Sequence, residues 1–538
     1  MKKINIACII FSVLMASGCY KDKGNYDYTD IKRVEIQFDK ISSYTITQGD
    51  VLEVNPIYPD FVLANPDNYE FTWYLNDETR PEWNTMNFKW QINDLMERGN
   101  LVIEVRDKST DVKYMNRATV TVNGVYTNYY SWMILSDDGG KSKLSFLSVN
   151  ALLDPDSADQ PQGSDQYYYD GERFITNVYN GDLGSGPIAL QEHWRVGIDW
   201  SETVVGNVCV FQKSGAVDLE GTGFTKEIDM VDAFVGQKYP AANTVLYPGS
   251  FIEYADVVCD QDGKLYSRLK LSASVYNSEY FLQSPLKVSG EDEVLENCTV
   301  CRGYYTSNRF GYQVVYDGKN KRFLYFQDGG SNWEAPAEGA SGIVPVKVDS
   351  KLYLEDVVHL DNHKGYELLH LCQSAATGAG WNSYYGFYEV LREEATDKLF
   401  LQQFILTKKY GADSPDIQSI TKKEIKGLPG IPSVMAFPTY NPTEYAFFAI
   451  GKKLYMVDLV NMSDAELYYE FDSDITAMDY GSSSNMHLAV GLEDGSFFVL
   501  GANAAKNIKD EHKLVYKAPE KVGKIVDIKY KNNSMWNY

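Results

Sequence analysis

The sequence predicts an all-β protein in two parts: an immunoglobulin-like β-sandwich over residues 30–126 and a β-propeller of about seven or eight blades over residues 129–538. Aromatic residues make up 14% of the chain and include 41 tyrosines. Such side chains favour strands, because they fit a pleated and half-buried surface. Short alternating apolar and polar stretches occur in both parts, and Asp-Gly turns separate several of them in the second part.

The N-terminus has the features of an export signal. Two lysines are followed by an apolar stretch at residues 4–16, and two small residues then precede Cys19. This order is typical of a secretory signal, and the apolar stretch is too short to cross a bilayer. We therefore expect residues 1–18 to be removed, Cys19 to carry a lipid, and residues 19–29 to form a spacer. The alternative is a plain secreted protein with a chance cysteine at this position.

The charge of the chain excludes some partners. The formal net charge is −24, which argues against nucleic acid or anionic lipid as a ligand. No second apolar run approaches the length of a membrane span. The lipid on Cys19 is thus the only membrane attachment that the sequence indicates.

Alternating strands predict the sandwich. The clearest is 69–75 (YEFTWYL), which places Phe71 and Trp73 on one face and is followed by an Asn-Asp turn. The paired cysteines of an antibody domain are missing, so packing alone must hold this core. Further strands are predicted at 34–38, 101–105 and 118–122.

Three stretches give this part a family resemblance. The sequence CYKDKGNYDY at 19–28, the strand at 69–75 and the Val-Thr-Val at 120–122 resemble the PKD-like lipoproteins of Bacteroides-type bacteria. The resemblance covers roughly residues 19–125. It implies an accessory lipoprotein of an outer-membrane nutrient uptake system, displayed at the cell surface beside a TonB-dependent transporter and its lid lipoprotein.

Repeated hairpins predict the propeller. Asp-Gly between apolar runs is a strong hairpin signal, because glycine tolerates the positive φ of a tight turn. The turn glycines 263 and 318 are 55 residues apart and 451 and 495 are 44 apart, a spacing typical of propeller blades. A stacked sandwich or two separate β domains is the competing architecture. The hairpins are 262–266 (DGKLY), 317–319 (DGK), 494–498 (DGSFF) and the variant 451–455 (GKKLY).

Cys298 and Cys301 form a Cys-x-x-Cys pair followed by residues that favour a strand. A redox motif should open a helix, and a zinc ribbon needs a second pair, which the chain does not contain. We therefore predict either a local disulfide or two packed thiols.

The segment from His359 to His363 is the best metal candidate in the sequence. If it is extended, His359, Asp361 and His363 share one face and offer nitrogen and oxygen ligands. The alternative is an exposed turn, which the neighbouring polar residues favour. We expect neither a metal nor another cofactor.

Aromatic residues beside Gly, Asn and Ser indicate binding loops, because they combine flat contact surfaces with adaptable hydrogen-bonding groups. For residues 384–388 an ordinary strand is an equal alternative. The predicted ligand-binding residues are Trp333, Trp381, Tyr384, Tyr385 and Tyr168.

No complete catalytic motif occurs in the chain, neither a P-loop, nor a zinc helix, nor a nucleophile elbow. The sequence therefore predicts a lipoprotein that binds a glycan or peptide oligomer, or docks on a transporter complex, without catalysis. A propeller hydrolase or lyase acting on glycan, and an adhesin for a host or matrix protein, are the alternatives.

Overall fold

The protein divides into two compact units, Met1–Asn123 and Gly124–Tyr538. Both are built from strands, and no helix in the described ranges is long or apolar enough to span a membrane. The computed structural model describes residues 33–38, 43–127, 131–148, 174–194, 206–252, 255–270, 279–301, 312–327, 342–346, 356–374, 384–407, 416–438, 445–481, 487–502 and 513–531.

The described part of the first unit contains two sheets. The strands are β1 (Ser43–Thr47), β2 (Val51–Val54), β3 (Tyr69–Leu75), β4 (Phe88–Gln91), β5 (Met96–Asp107) and β6 (Lys113–Asn123). One sheet has the strand order β1-β6-β5-β3, with β1 parallel to β6, and the other pairs β2 with β4. A short helix and two 3-10 turns connect these strands: α1 (Asp60–Leu63), Pro66–Asn68 and Pro81–Trp83.

Trp73 lies at the centre of the first unit's core, as the alternation of β3 predicts. Its side chain is fully buried, its ring lies 5.4 Å from that of Phe88, and its Nε1 donates a hydrogen bond to the carbonyl of Thr85 at 2.9 Å. The predicted strands at 101–105 and 118–122 are confirmed within β5 and β6. The strand predicted at 34–38 is wrong, because only Gln37 forms a bridge there, although Val34 and Ile36 are buried.

The described part of the second unit contains seven sheets, called here the first to the seventh. The first contains β7 (Ser131–Asp138), β8 (Lys141–Leu147), β9 (Phe174–Ile175) and β33 (Lys524–Lys531), and the second β10 (Pro187–His193), β11 (Asn207–Gln212), β12 (Val217–Leu219) and β13 (Lys226–Asp229). The third contains β14 (Leu246–Phe251), β15 (Ala255–Asp260) and β16 (Leu265–Leu269), and the fourth β17 (Cys298–Val300), β18 (Tyr312–Asp317), β19 (Arg322–Gln327) and β20 (Gly342–Pro345). The fifth contains β21 (Tyr366–Gln373), β22 (Tyr384–Glu393), β23 (Leu399–Thr407) and β24 (Asp416–Ile425). The sixth contains β25 (Val434–Ala436), β26 (Tyr445–Ile450), β27 (Lys453–Asp458) and β28 (Glu466–Glu470), and the seventh β29 (Ile475–Tyr480), β30 (His487–Leu492), β31 (Phe497–Gly501) and β32 (Leu514–Lys517).

The connections of these sheets are propeller-like. The second to seventh sheets each use consecutive antiparallel strands, whereas the first has the order β33-β7-β8-β9 and so joins the last described strand of the chain to the first described strand of the unit. The first strands of neighbouring sheets also lie against each other, β25 with β29, β29 with β33, β33 with β10, β10 with β14, and β14 with β17. Such repetition of four-stranded antiparallel sheets is typical of propellers.

Packing between the sheets explains why many strands are apolar on both faces. In β7, Trp132 and Ile134 join a core shared with the seventh sheet, whereas Met133 and Leu135 join a core shared with the second sheet. Both faces of a central sheet are therefore covered, and the strand appears in the sequence as a continuous apolar run.

The predicted hairpins are confirmed. Tight turns connect β15 to β16, β26 to β27 and β30 to β31, with positive φ angles of 73° at Gly263, 57° at Gly451 and 86° at Gly495. The turn between β18 and β19 has four residues, as do those between β15 and β16 and between β30 and β31, but its positive φ of 55° falls on Lys321 rather than on Gly318.

Candidate functional site

The predicted aromatic loops fall mostly outside the described residues. Trp333, Trp381 and Tyr168 are not among them. Tyr384 and Tyr385 open β22, so their backbone belongs to a strand of the fifth sheet, as the alternative interpretation predicted.

The extended geometry that a metal site at His359, Asp361 and His363 would require does not form, and the turn given as the alternative does. The segment turns instead of extending, with an isolated bridge between His359 and Asn362. His359 and Asp361 are exposed, whereas His363 is fully buried. The three side chains therefore do not share a face.

His363 instead belongs to a buried series of hydrogen bonds. Its Nε2 lies 2.9 Å from Oε2 of Glu389, whose Oε1 accepts a hydrogen bond from Nε2 of Gln402 at 2.6 Å. Gln402 in turn bonds both backbone groups of Val358, at 2.8 and 2.9 Å. These bonds hold the turn before β21 against the fifth sheet, so His363 has a structural role.

The disulfide predicted as one alternative for Cys298 and Cys301 is wrong, because both are free cysteines. Cys298 lies in the core between the third and fourth sheets, and Cys301 lies in the core shared with the fifth. Burial raises the pKa of both thiols. These cysteines are therefore protonated packing residues at neutral pH.

Among the residues that the structure describes, a groove of about 370 Å³ lies on the first unit. The turn after β3, the 3-10 turn at Pro81–Trp83 and the end of β4 form it. Mutual backbone hydrogen bonds between Leu75 and Glu78 close the turn, and the side chain of Asn76 accepts a bond from the backbone of Asn100 at 2.8 Å. This volume lies within the range of small-ligand sites.

Two tryptophans and an arginine form one wall of the groove. The rings of Trp83 and Trp90 meet edge to face at a centroid distance of 5.5 Å. The Arg80 guanidinium lies 4.8 Å from the Trp90 ring centre and 5.4 Å from that of Trp83. Such cation–π contacts contribute about 0.5–1 kcal/mol at exposed sites and hold the guanidinium in place. Its N–H donors thus remain beside an aromatic surface.

The rest of the groove is mostly polar. Glu78, Asn93 and Asp94 are exposed along it, and neither carboxylate forms an ion pair within the described ranges. The indole Nε1 of buried Trp83 has no hydrogen-bond partner among the described residues. The groove therefore offers both donors and acceptors next to aromatic rings.

This groove was not predicted from the sequence. The predicted binding loops place tryptophans beside glycine, whereas the groove's aromatic residues lie in the segment PEWNTMNFKW at 81–90. Two tryptophans seven residues apart with an arginine beside them were the available signal. Their convergence depends on how the 3-10 turn at Pro81–Trp83 folds back on β4, where the rings of Trp83 and Phe88 lie 5.3 Å apart, and alternation along a single strand does not show such packing.

A second polar group is buried between the second and third sheets of the other unit. It comprises His193, Asn207, Cys209 and Asp218 from the second sheet, facing Asp256, Arg268 and Lys270 from the third. Burial alone would raise the pKa of Asp256, but Lys270 and Arg268 outweigh it and the pKa lies below its ordinary value. Asp256 is therefore ionised and held between two cations.

Comparison with known proteins supports the resemblance of the first part of the chain to the PKD-like family. Residues 19–179 match the PKD-like family, a match that covers the sandwich and extends into the first sheet of the second unit. No match was found among curated protein sequences.

Three solved structures show weak similarity, each with a TM-score of 0.33. Apo AztD from Citrobacter koseri is 10% identical, and the match covers 86% of this chain and 97% of the AztD chain. YCF48 bound to D1 peptide is 10% identical, and the match covers 64% of this chain and 93% of YCF48. The lignostilbene dioxygenase of Pseudomonas brassicacearum is 9% identical, and the match covers 76% of this chain and 94% of the dioxygenase. Similarity at this level defines neither the fold nor the function of this chain.

Proposed function

We propose that this protein is a lipid-anchored lipoprotein of the outer membrane that captures a polar oligomer, in the first place a glycan, without chemically changing it. The groove beside Arg80, Trp83 and Trp90 is the observation that carries the proposal. The export signal ending at Cys19 and the match to the PKD-like family support anchorage and the nutrient-uptake setting.

A glycan suits the groove better than an apolar peptide does. Sugar hydroxyls donate to carboxylates such as Glu78 and Asp94 and accept from the guanidinium of Arg80, while their C–H faces pack on indole rings. An apolar peptide would leave those polar groups without partners, and each unsatisfied group costs binding energy.

The second unit serves in this proposal as the part that contacts a TonB-dependent transporter complex. The seven sheets and the pairing of β33 with β7 support a closed propeller of seven blades. A closed ring of this kind leaves few free sheet edges and presents loops at both ends for contact with a partner.

Substitution of Trp90 tests the binding function. The Cys19→Ala chain, which lacks the proposed lipid, is screened on an oligosaccharide array and, in parallel, on oligopeptides, and the best ligand is titrated by calorimetry. Trp90→Ala should weaken binding roughly tenfold or more, because it removes both the ring and the support for Arg80. Trp90 is only half-buried, so the melting temperature should change little.

Arg117→Ala is the matched control, since Arg117 is an exposed arginine of β6 that does not line the groove. It should bind the ligand as the parent chain does. Equal affinity of the Trp90→Ala and parent chains would refute the groove as the site. Release of shortened oligosaccharide would favour the hydrolase or lyase instead.

A further inference from the structure

One face of the second sheet carries three side chains whose atoms are suited to bind a metal ion. Cys209 on β11 and Asp218 on β12 are direct partners in the register, and Gln191 on β10 is the partner of Cys209 on the other side. Because side chains alternate along a strand, His193 points to the same face as Gln191, two residues earlier. The strand register therefore brings His193, Cys209 and Asp218 together.

The distances between these three groups are short. Nε2 of His193 lies 2.8 Å from Oδ1 of Asp218, and Sγ of Cys209 lies 3.3 Å from the same oxygen. All three potential ligand atoms lie within 4.8 Å of one another, and all three residues are buried. Zinc binds nitrogen and oxygen at about 2.0–2.2 Å and sulfur at about 2.3 Å, so one ion can contact all three after small side-chain shifts.

Neighbouring residues orient these groups. Asn207 donates from its Nδ2 to Oδ2 of Asp218 at 3.1 Å and also to Glu227. The His193 ring packs against Phe251 at a centroid distance of 5.0 Å. Hydrogen bonds to the second oxygen of a ligating carboxylate are a regular feature of metal sites, where they fix the ligand in place.

Two cations on the third-sheet side of the cluster pair with Asp256. Arg268 Nε lies 2.8 Å from Asp256, and Lys270 Nζ lies 3.1 Å from it. The Arg268 guanidinium also lies 4.6 Å from the Phe281 ring centre, and Lys270 donates to the backbone carbonyl of Trp194 at 3.3 Å. Asp256 on the third sheet thus carries two cations within the same buried region.

A hydrogen-bonded cluster alone gives no reason for a thiol at position 209. Serine would be the better donor to Asp218, since a thiol donates only weakly. The property that distinguishes cysteine is that its thiolate binds soft or borderline metals, and a set of imidazole, thiolate and carboxylate fits zinc.

We propose that His193, Cys209 and Asp218 bind a zinc ion between the second and third sheets. On binding, the thiol of Cys209 releases its proton to solvent and the sulfur forms a bond to the metal, with no change of oxidation state. Nε2 of His193 binds through its lone pair, so its ring proton resides on Nδ1. Three protein ligands leave a fourth position for water or another ligand.

Metal binding to the full mature chain tests this proposal directly. After treatment with a chelator, the chain is titrated with zinc chloride against a chromophoric competitor, and separately with cobalt chloride. We expect one zinc per chain and a near-ultraviolet thiolate-to-cobalt absorption band. Both measurements use the unaltered chain, so they do not depend on how a variant folds.

Variants then assign the ligands. Cys209→Ser should abolish the thiolate band and weaken zinc binding at least about a hundredfold, and Asn207→Ala should weaken it roughly ten- to a hundredfold. Cys372→Ser is the matched control, since Cys372 is another free cysteine of a strand, and it should leave both signals unchanged. No zinc bound at micromolar free metal, or a band that survives in Cys209→Ser, would overturn the proposal.

Discussion

At the scale of single residues, burial determines how ionisable groups behave in this protein. His487 opens β30 and is almost completely buried. Burial disfavours the charged imidazolium and lowers the pKa of His487 from 6.5 to about 3. The ring is therefore neutral in the folded state across the physiological pH range.

His487 should make the protein sensitive to acid. The unfolded chain binds a proton at this residue below about pH 6.5, whereas the folded protein does not until about pH 3. The free energy of unfolding should thus fall as the pH decreases through this window, by up to about 1.4 kcal/mol per pH unit from this group. When urea unfolding is measured at several pH values, the free energy of unfolding of His487→Gln should depend less on pH than that of the parent chain.

The exposed His359 provides the control for this measurement, and His359→Gln should retain the parent slope. Parallel curves for the parent and His487→Gln chains between pH 6.5 and pH 4 would show that His487 is not held neutral by the fold.

At the scale of elements, turns were predictable where one residue type is required. Gly263, Gly451 and Gly495 adopt positive φ angles in hairpins that the sequence predicted. The separation of Cys298 from Cys301 also follows from a local rule, since residues three apart point to opposite faces of a strand. Two cysteines on opposite faces of a strand cannot form a disulfide, so the rule already argued against that alternative.

Features that depend on distant parts of the chain could not be predicted in this way. The cluster around Asp218 forms because three strands align in one register. His363 turns inward because Glu389 on β22 and Gln402 on β23 form the series of hydrogen bonds that holds its ring. Local patterns contain no information on such pairings.

Gly495 allows a test of turn packing at this scale. It has a φ of 86°, and an added Cβ would lie 2.7 Å from the carbonyl oxygen of Gly523. Gly140 has a similar φ of 91° but open space around it. Gly140→Ala should therefore cost about 1–2 kcal/mol from backbone strain alone, and Gly495→Ala should cost clearly more, as measured by urea unfolding. Equal losses would mean that the contact with Gly523 is not tight.

At the scale of the whole molecule, the second unit is held together by its ends. β33 pairs with β7 along its length, from Lys531 opposite Ser131 to Lys524 opposite Asp137. The chain end thereby completes a sheet that the beginning of the unit started. Removal of either end should expose a strand edge and two apolar faces.

Fragments that differ only at their ends test whether the second unit is independent and closed. The compact unit begins at Gly124, and the Tyr126 ring lies 5.2 Å from Phe146 and 4.6 Å from Phe224. A fragment of residues 124–538 should therefore unfold in a single cooperative transition. A fragment of 129–538 should fold, but its free energy of unfolding should be about 1–3 kcal/mol lower, because it lacks both aromatic contacts.

A fragment of 124–523, without β33, should lose the cooperative transition, since β7 is left without its partner. Circular dichroism melts and limited proteolysis distinguish these outcomes, and an unfolded 124–538 fragment would show that the second unit needs the first to fold.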